Sequence, residues 1–393
     1  MNNVNRVPGL LANAAPRDRT VAVLGGTLEV HRPLYRHLAS CLEEPVLLID
    51  SGVDDDELVE ILARLVRQGR TWLFPSNEIA LNRAESARRR LSAADAERIV
   101  IPGSAWLDRE VPAAELSDKR VLHEAFRGQL FTNLDVVPGA VVCWRGCIDD
   151  LDGIRGLGFP LVVKPTVKDA EDSFTRAFAS KMVTVASFAE LVALLSARPA
   201  LFLGRELILQ EFARGVPVSW CGCIAPDRME GYRIASVIRS PGDRVGGTAT
   251  LARIAPVDPA LSAAVEELAE RLHLDGIFEI EFIQRGGRYH FFCEINPRPW
   301  LQVAAVLGPE SSIFTSYLER HGFHVLSRRM PEAASIGIWG SAHRYLALNG
   351  GRRPPSLRDL FRTLHSDVRL GPHFSGRERL VYLATAFLQL VGR

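Results

Sequence analysis

Residues 276–296, GIFEIEFIQRGGRYHFFCEIN, alternate apolar and polar side chains on both sides of a four-residue break, Arg285-Gly286-Gly287-Arg288. A period of two marks a strand with one buried face, and a glycine pair between two such runs closes a hairpin. Phe278, Ile280 and Phe282 then share one face, and Glu279 and Glu281 the other. In the second strand Tyr289, Phe291, Cys293 and Ile295 oppose His290, Phe292, Glu294 and Asn296. With the break as the turn, Glu279 stands opposite Glu294, and Glu281 lies diagonal to it at roughly 7–8 Å, within reach of long side chains. Carboxylates gathered in so small a volume repel one another or take up protons. A hard divalent cation resolves the conflict, since Mg2+ prefers oxygen ligands and keeps positions open for phosphate oxygens. A solvated acidic face is the competing reading for Glu279 and Glu281 alone. Asn296 in register with Glu294, Arg298 at the same spacing, and an exit stiffened by Pro297 and Pro299 favour a built site.

Upstream, short apolar runs at Thr20–Gly26, Pro45–Asp50 and Thr71–Pro75 are interleaved with a helical stripe of Leu58, Ile61, Leu62, Leu65 and Val66. Strands alternating with helices predict a parallel α/β domain over residues 1–117. Gly25-Gly26 lacks the rest of a dinucleotide fingerprint, so Asp50 carries no ribose-binding role by itself. Asn77-Glu78 reads as a helix cap, with a substrate contact as the alternative. A second domain, 118–325, opens with a helix at Asp118-Lys119-Arg120. The strand FPLVVKP ending at Lys164, a short strand containing Lys181, the helix Ser187–Leu195 and the strand Glu206–Gln210 predict a small α+β lid over about 150–212. The helix Leu261–Leu272, with Leu261, Val265, Leu268 and Leu272 in one stripe, precedes the hairpin. Residues 326–393 are expected to form a mostly helical C-terminal extension, whose apolar helix near Arg379–Leu390 is too short to span a bilayer.

Charge narrows the partners. Among 393 residues, 47 Lys+Arg against 46 Asp+Glu leave a formal charge of +1, which gives no field for nucleic acid or an anionic membrane and favours a small-molecule partner. Six cysteines without a CxxC pair suit the reduced thiols of a cytosolic protein. The first twenty residues lack the apolar core of a signal peptide, and no run of about 18 apolar residues occurs. A cytoplasmic protein without a membrane span is expected; the oligomeric state is left open.

Lys164, Lys181, Gln210-Glu211-Phe212, Glu281 and Glu294-Ile295-Asn296-Pro297-Arg298, in this order, resemble the ATP-grasp superfamily, in particular its carboxylate–amine ligase (carboligase-like) branch. The resemblance covers about residues 75–308. It implies a fold of mixed α/β and α+β class: an ATP-grasp domain preceded by a parallel α/β pre-ATP-grasp domain and followed by a helical tail. It implies that Lys164 and Lys181 bind the phosphates of ATP and that Gln210, Glu211 and Phe212 form the hinge that contacts adenine, largely through backbone groups. Glu281, Glu294 and Asn296 would hold Mg2+ or Mn2+, family spacing selecting Glu281 over Glu279. Arg298 would steady phosphate or the acyl group, with Arg298 and Lys164 as the catalytic groups. Arg239 and Gly247, between hinge and metal strands, are candidates for the acyl side of the pocket.

The activity implied is ADP-forming ligation of a small-molecule carboxylate to an amine through an acyl phosphate. An amino acid, a peptide or a cell-wall or secondary-metabolite precursor would suit as substrate. Two departures stand out. Pro217, Val218 and Ser219 occupy the region where relatives commonly carry a ribose-binding acid, and Thr166–Ser180 lacks the glycines that many relatives place over the phosphates. The rival reading is a nucleotide-binding regulatory or degenerate protein that keeps the fold without turnover.

Overall fold

The apolar runs of the N-terminal region become strands covered on both faces. In the computed structural model, which describes residues 18–107, 109–168, 173–178, 180–240, 248–307, 313–326 and 337–341, β1 (Arg19–Leu24), β2 (Val46–Ile49), β3 (Arg70–Pro75) and β4 (Ile99–Val100) form a parallel sheet in the order β2-β1-β3-β4. Alternate residues of β1 feed two cores: Ala22 and Leu24 pack with α2 (Asp55–Gln68) and α3 (Glu78–Arg89), while Val21 and Val23 face α1 (Leu28–Cys41). Burial on both faces is why these strands read as unbroken apolar runs. The expected stripe of α2 is buried throughout, and Asp54 caps the helix by accepting from the Glu57 N–H at 2.8 Å.

After a two-stranded pair, β5 (Ala105–Trp106) with β6 (Glu110–Val111), the strand β7 (Leu134–Val136) joins the edge of the third sheet. The second sheet consists of β8 (Gly139–Cys143), β9 (Leu161–Pro165), β10 (Val183–Val185) and β11 (Glu206–Glu211), antiparallel in the order β10-β9-β11-β8. The helix Phe188–Ala197 covers it, and a core of its own contains Trp144, Leu191, Phe202 and Leu209. Lys181 lies just before β10 rather than within it.

The third sheet has seven strands: β12 (Val216–Ala225), β13 (Arg228–Ser240), β14 (Thr248–Pro256), β15 (Gly276–Arg285), β16 (Arg288–Asn296) and β17 (Gly337–Gly340), with β7, in the order β17-β14-β13-β12-β15-β16-β7. One face packs on the helix Pro259–Leu272 and buries Trp220, Phe278, Phe282 and Phe291. The other shares a core with the N-terminal sheet, in which Val21, Leu34 and Trp72 meet Ile277, Trp300 and Phe314. The long antiparallel strands β12 to β14 are absent from the sequence reading. From the expected C-terminal extension, Gly337–Gly340 is a strand on β14, and the expected helix near Arg379–Leu390 lies outside the described residues. All six cysteines are unpaired. Among the described residues no helix is long and apolar enough to cross a membrane.

The predicted hairpin forms, with Gly286 at φ 57° and Gly287 at φ 81° in the turn, values that only glycine adopts freely. Near the turn the pairing is the one expected, Arg285 with Arg288 and Phe282 with Phe291. Beyond Phe291 it corrects the expectation: β16 gains two residues, Ile280 pairs with Ile295, and Glu279 faces Asn296 instead of Glu294. Cys293 takes a left-handed φ of 56° in this bulge. Two extra residues preserve the alternation of faces, so Glu294 and Asn296 stay on the side away from the buried Cys293 and Ile295.

Candidate active site

Strand alternation gives the second sheet two unlike faces. Leu161, Val163, Leu207 and Leu209 point into its own core, whereas Val162, Lys164, Ile208 and Gln210 point toward the third sheet, with Ile208 paired to Lys164 and Gln210 to Val162. Phe292 and Ile283 form the opposite wall. The space between the sheets comprises an apolar cavity, bordered by Val137, Val162, Gln210, Glu211 and Phe212, and a polar cavity lined by charged side chains. Lys164, Met182, Ile283 and Phe292 border both.

The polar cavity collects charge from three parts of the chain. Lys164, 4% exposed, places Nζ 3.6 Å from Glu294 Oε2, donates to the Phe292 carbonyl at 3.3 Å and lies 4.7 Å over the Phe292 ring. Lys181 Nζ stands 4.0 Å from Glu281 Oε1. Lys119 and Lys168 line the same cavity. Burial pulls the proton affinity of Lys164 below that of an ordinary lysine, and Glu294 offsets part of this. The Glu281 carboxylate raises that of Lys181. Burial opposes ionisation of Glu294, yet Lys119, Lys164, Lys181 and Lys168 together overcome it and hold the carboxyl well below the usual carboxylate range.

Asn296 ties the acidic side together. Its Nδ2 donates to Glu279 Oε2 at 3.2 Å and to Glu281 Oε1 at 3.1 Å, while its Oδ1 accepts from Arg298 Nη2 at 3.2 Å. Ser219 Oγ donates to Glu279 Oε1 at 3.2 Å. At the hinge, the N–H groups of Glu211 and Phe212 donate to the Pro138 and Pro160 carbonyls, both at 2.9 Å, and the Glu211 carboxylate accepts from the Gly158 N–H at 2.7 Å. Among the described residues the Gln210 side chain, 2% exposed, has no hydrogen-bond partner for Nε2.

Lys164, Lys181, Gln210, Glu211, Phe212, Glu281 and Glu294 therefore border one continuous cleft, with Asn296 and Arg298 bonded to its acidic side. The side chain of Arg239 lies outside the described residues, as does Gly247 entirely; the Arg239 backbone pairs with Ala249. Asn77 is a cap: its side chain accepts from the Ala80 N–H at 2.8 Å and donates to Thr27 Oγ1 at 3.1 Å. Lys119 and Lys168 escaped the sequence reading as cleft residues, and Glu279, set aside there in favour of Glu281, joins the acidic network through Asn296. Lys119 did leave a signal, since it opens a helix directly after the capping Asp118, where the helix dipole disfavours a cation.

The donor set bears on which ligands fit. Glu281 and Glu294 offer carboxylate oxygens, and among the described residues no group of three His, Cys, Asp or Glu side chains converges on one ion. That suits Mg2+, which takes one or two carboxylates and draws its other ligands from phosphate and water. The orphaned Gln210 amide beside an apolar cavity suits a flat heteroaromatic ring with polar edges.

Neither a family profile nor a curated relative matches the sequence. Solved structures do. N5-carboxyaminoimidazole ribonucleotide synthetase from Thermus thermophilus is 18% identical, with 89% of this chain and 98% of that chain covered at a TM-score of 0.55. An ADP complex of N5-carboxyaminoimidazole ribonucleotide synthetase is 13% identical over 92% of this chain and 98% of that one, at a TM-score of 0.55. D-alanine–D-alanine ligase from Bacillus anthracis is 16% identical over 77% and 95%, at a TM-score of 0.51. A parallel α/β layer followed by two facing sheets is thus a known architecture: the chain has the ATP-grasp fold.

Proposed function

We propose that this protein is an ATP- and Mg2+-dependent ligase that joins a small-molecule carboxylate to an amine, releasing ADP, by way of an acyl phosphate. The observation that carries the reading is the convergence of four lysines and two carboxylates on one cavity, directly beside an apolar cavity with an unsatisfied amide. Polyphosphate needs the first and a nucleobase the second. Lys164 and Lys181 neutralise phosphate oxygens, with Lys119 and Lys168 adding positive charge around them. Gln210 donates to the base, while Glu211 and Phe212 frame it. Glu281 and Glu294 hold the metal, and Asn296 keeps Glu281 aimed; Mn2+ would satisfy the same oxygens. When bound, the metal neutralises phosphate charge. Arg298, fixed by Asn296 and the Pro299 carbonyl, reaches the developing charge of the acyl group.

The resting cleft is consistent with joint binding of nucleotide and metal. Each carboxylate is paired with a lysine in the resting cleft, and phosphate held by Lys164 and Lys181 would leave Glu294 and Glu281 available to hold a cation. The structures similar to this one are named as synthetases or ligases of small molecules, and one of them is in complex with ADP. As substrates, an amino acid, a short peptide or a cell-wall or secondary-metabolite precursor suits the reading.

Incubation with ATP, Mg2+ and pooled carboxylic acids and amines should release ADP with a subset of acids. Hydroxylamine in place of the amine should yield a hydroxamate in step with ADP, and Arg298→Ala should suppress both. Formation of AMP and pyrophosphate would mean an adenylate and overturn the acyl phosphate. Tight ATP binding without ADP release across a broad panel would favour a regulatory protein.

A further inference from the structure

Glu78 is 7% exposed at the start of α3. As the first helical residue after the capping Asn77, it lies where the helix dipole favours a negative charge. Its Oε1 accepts from the backbone N–H of Lys168 at 3.3 Å, and its Oε2 lies 3.9 Å from Lys168 Nζ. One carboxylate of the N-terminal α/β layer thus holds both the main chain and the ammonium of a residue in the segment that leaves β9. Lys168 in turn lines the polar cavity with Lys119, Lys164, Lys181, Glu281 and Glu294. Four ammonium groups around two carboxylates repel one another, and a lysine side chain 26% exposed has an open route to solvent. Glu78 supplies the third carboxylate. The helix cap itself is made by Asn77, so capping does not account for Glu78.

We infer that Glu78 is a positioning residue that straps Lys168 to the N-terminal layer and so turns its ammonium toward the polyphosphate end of the cleft. Phosphate affinity then depends on a contact between the N-terminal layer and the second sheet, and not on the two cleft walls alone. The inference rests on the nucleotide reading proposed above, and its test separates the two.

The non-hydrolysable analogue AMP-PNP, with Mg2+, and adenosine are titrated calorimetrically into the full-length wild type, Glu78→Gln, Lys168→Met and the double variant. Glu78→Gln should weaken AMP-PNP about tenfold, the loss of one charge-assisted contact. Lys168→Met should do the same, and the double variant should be no weaker than Lys168→Met. Adenosine, which has no phosphate, should bind all four proteins alike. Glu78→Asp, which keeps the charge but shortens the reach, should give an intermediate loss for AMP-PNP alone. Unchanged AMP-PNP affinity in Glu78→Gln, full additivity in the double variant, or a parallel loss of adenosine binding would each overturn the strap. Wild type that binds neither ligand overturns the nucleotide reading and the strap with it.

Discussion

Replacing Glu294 by glutamine probes the electrostatics of the cleft with no ligand bound. The carboxylate is 14% exposed and 3.6 Å from Lys164 Nζ. Against the pull of its burial, four lysines hold it ionised far below the ordinary 4.5. Below about pH 4.5 the unfolded chain therefore binds a proton that the folded protein refuses. The stabilisation is complete above that pH and is lost, at about 1.4 kcal/mol per pH unit, as pH falls toward the folded value. Glutamine keeps the shape, cannot titrate, and leaves Lys164 without its nearest counter-charge. Breaking a fully buried pair costs about 3–5 kcal/mol. Lys164 retains the Phe292 carbonyl and, with its proton affinity already lowered, can shed the charge, so a cost of about 1–3 kcal/mol is expected at neutral pH. Urea unfolding followed by tryptophan fluorescence, in buffer with EDTA, measures the gap between wild type and variant. It should close by about 1.4 kcal/mol per pH unit below about pH 4.5. A gap that stays constant from neutrality to about pH 3 refutes the claim that the lysines hold Glu294 ionised.

Two further substitutions test the other end of the cleft. Burial lowers the proton affinity of Lys164, so wild-type affinity for AMP-PNP should begin to fall at a pH below the ordinary lysine value of 10.5. Lys164→Met should lose about tenfold at neutral pH and flatten that alkaline limb; calorimetric titrations with the same alkaline limb in both proteins contradict the assignment. Gln210→Leu removes an amide nitrogen buried without a partner among the described residues, so it should raise the unfolding free energy by about 1 kcal/mol while weakening nucleotide binding several-fold. Denaturation midpoints and AMP-PNP titrations check both signs, and a destabilised variant with intact affinity would count against a base-reading amide.

What could be read from the sequence follows from which physical signals are local. The runs around Val21, Leu48 and Phe74 and the stripe from Leu58 to Val66 announced themselves because a strand buried on both faces, or a helix buried on one, writes its burial into contiguous residues. The Gly286-Gly287 turn did so because two positive φ values demand glycine. The bulge at Cys293 left no such mark: cysteine is not a residue that advertises φ 56°, and the alternation of Phe291, Cys293 and Ile295 reads the same with or without the register shift. Glu279 therefore entered the network with Asn296 unforeseen. Lys164 stood out as a charge ending an apolar strand, whereas Lys168 looked like any solvated lysine, since its partner Glu78 lies 90 residues away. Strands β12 to β14 pair with one another in sequence order, but Pro217, Gly222 and Gly231 break the apolar alternation that would have marked the first two as strands.

The core that joins Val21, Leu34 and Trp72 to Ile277, Trp300 and Phe314 has a consequence for how the molecule comes apart. Cutting the chain between the N-terminal layer and the seven-stranded sheet would split one hydrophobic cluster and leave large aromatic surfaces wet on both fragments, so neither half is a natural unit for expression or for exchange between relatives. The second sheet, with Trp144, Phe202 and Leu209 packed among themselves, can melt or be transplanted without uncovering that cluster. Unfolding then has two cooperative blocks and not three, and the boundary between them runs along the cleft between the second and third sheets.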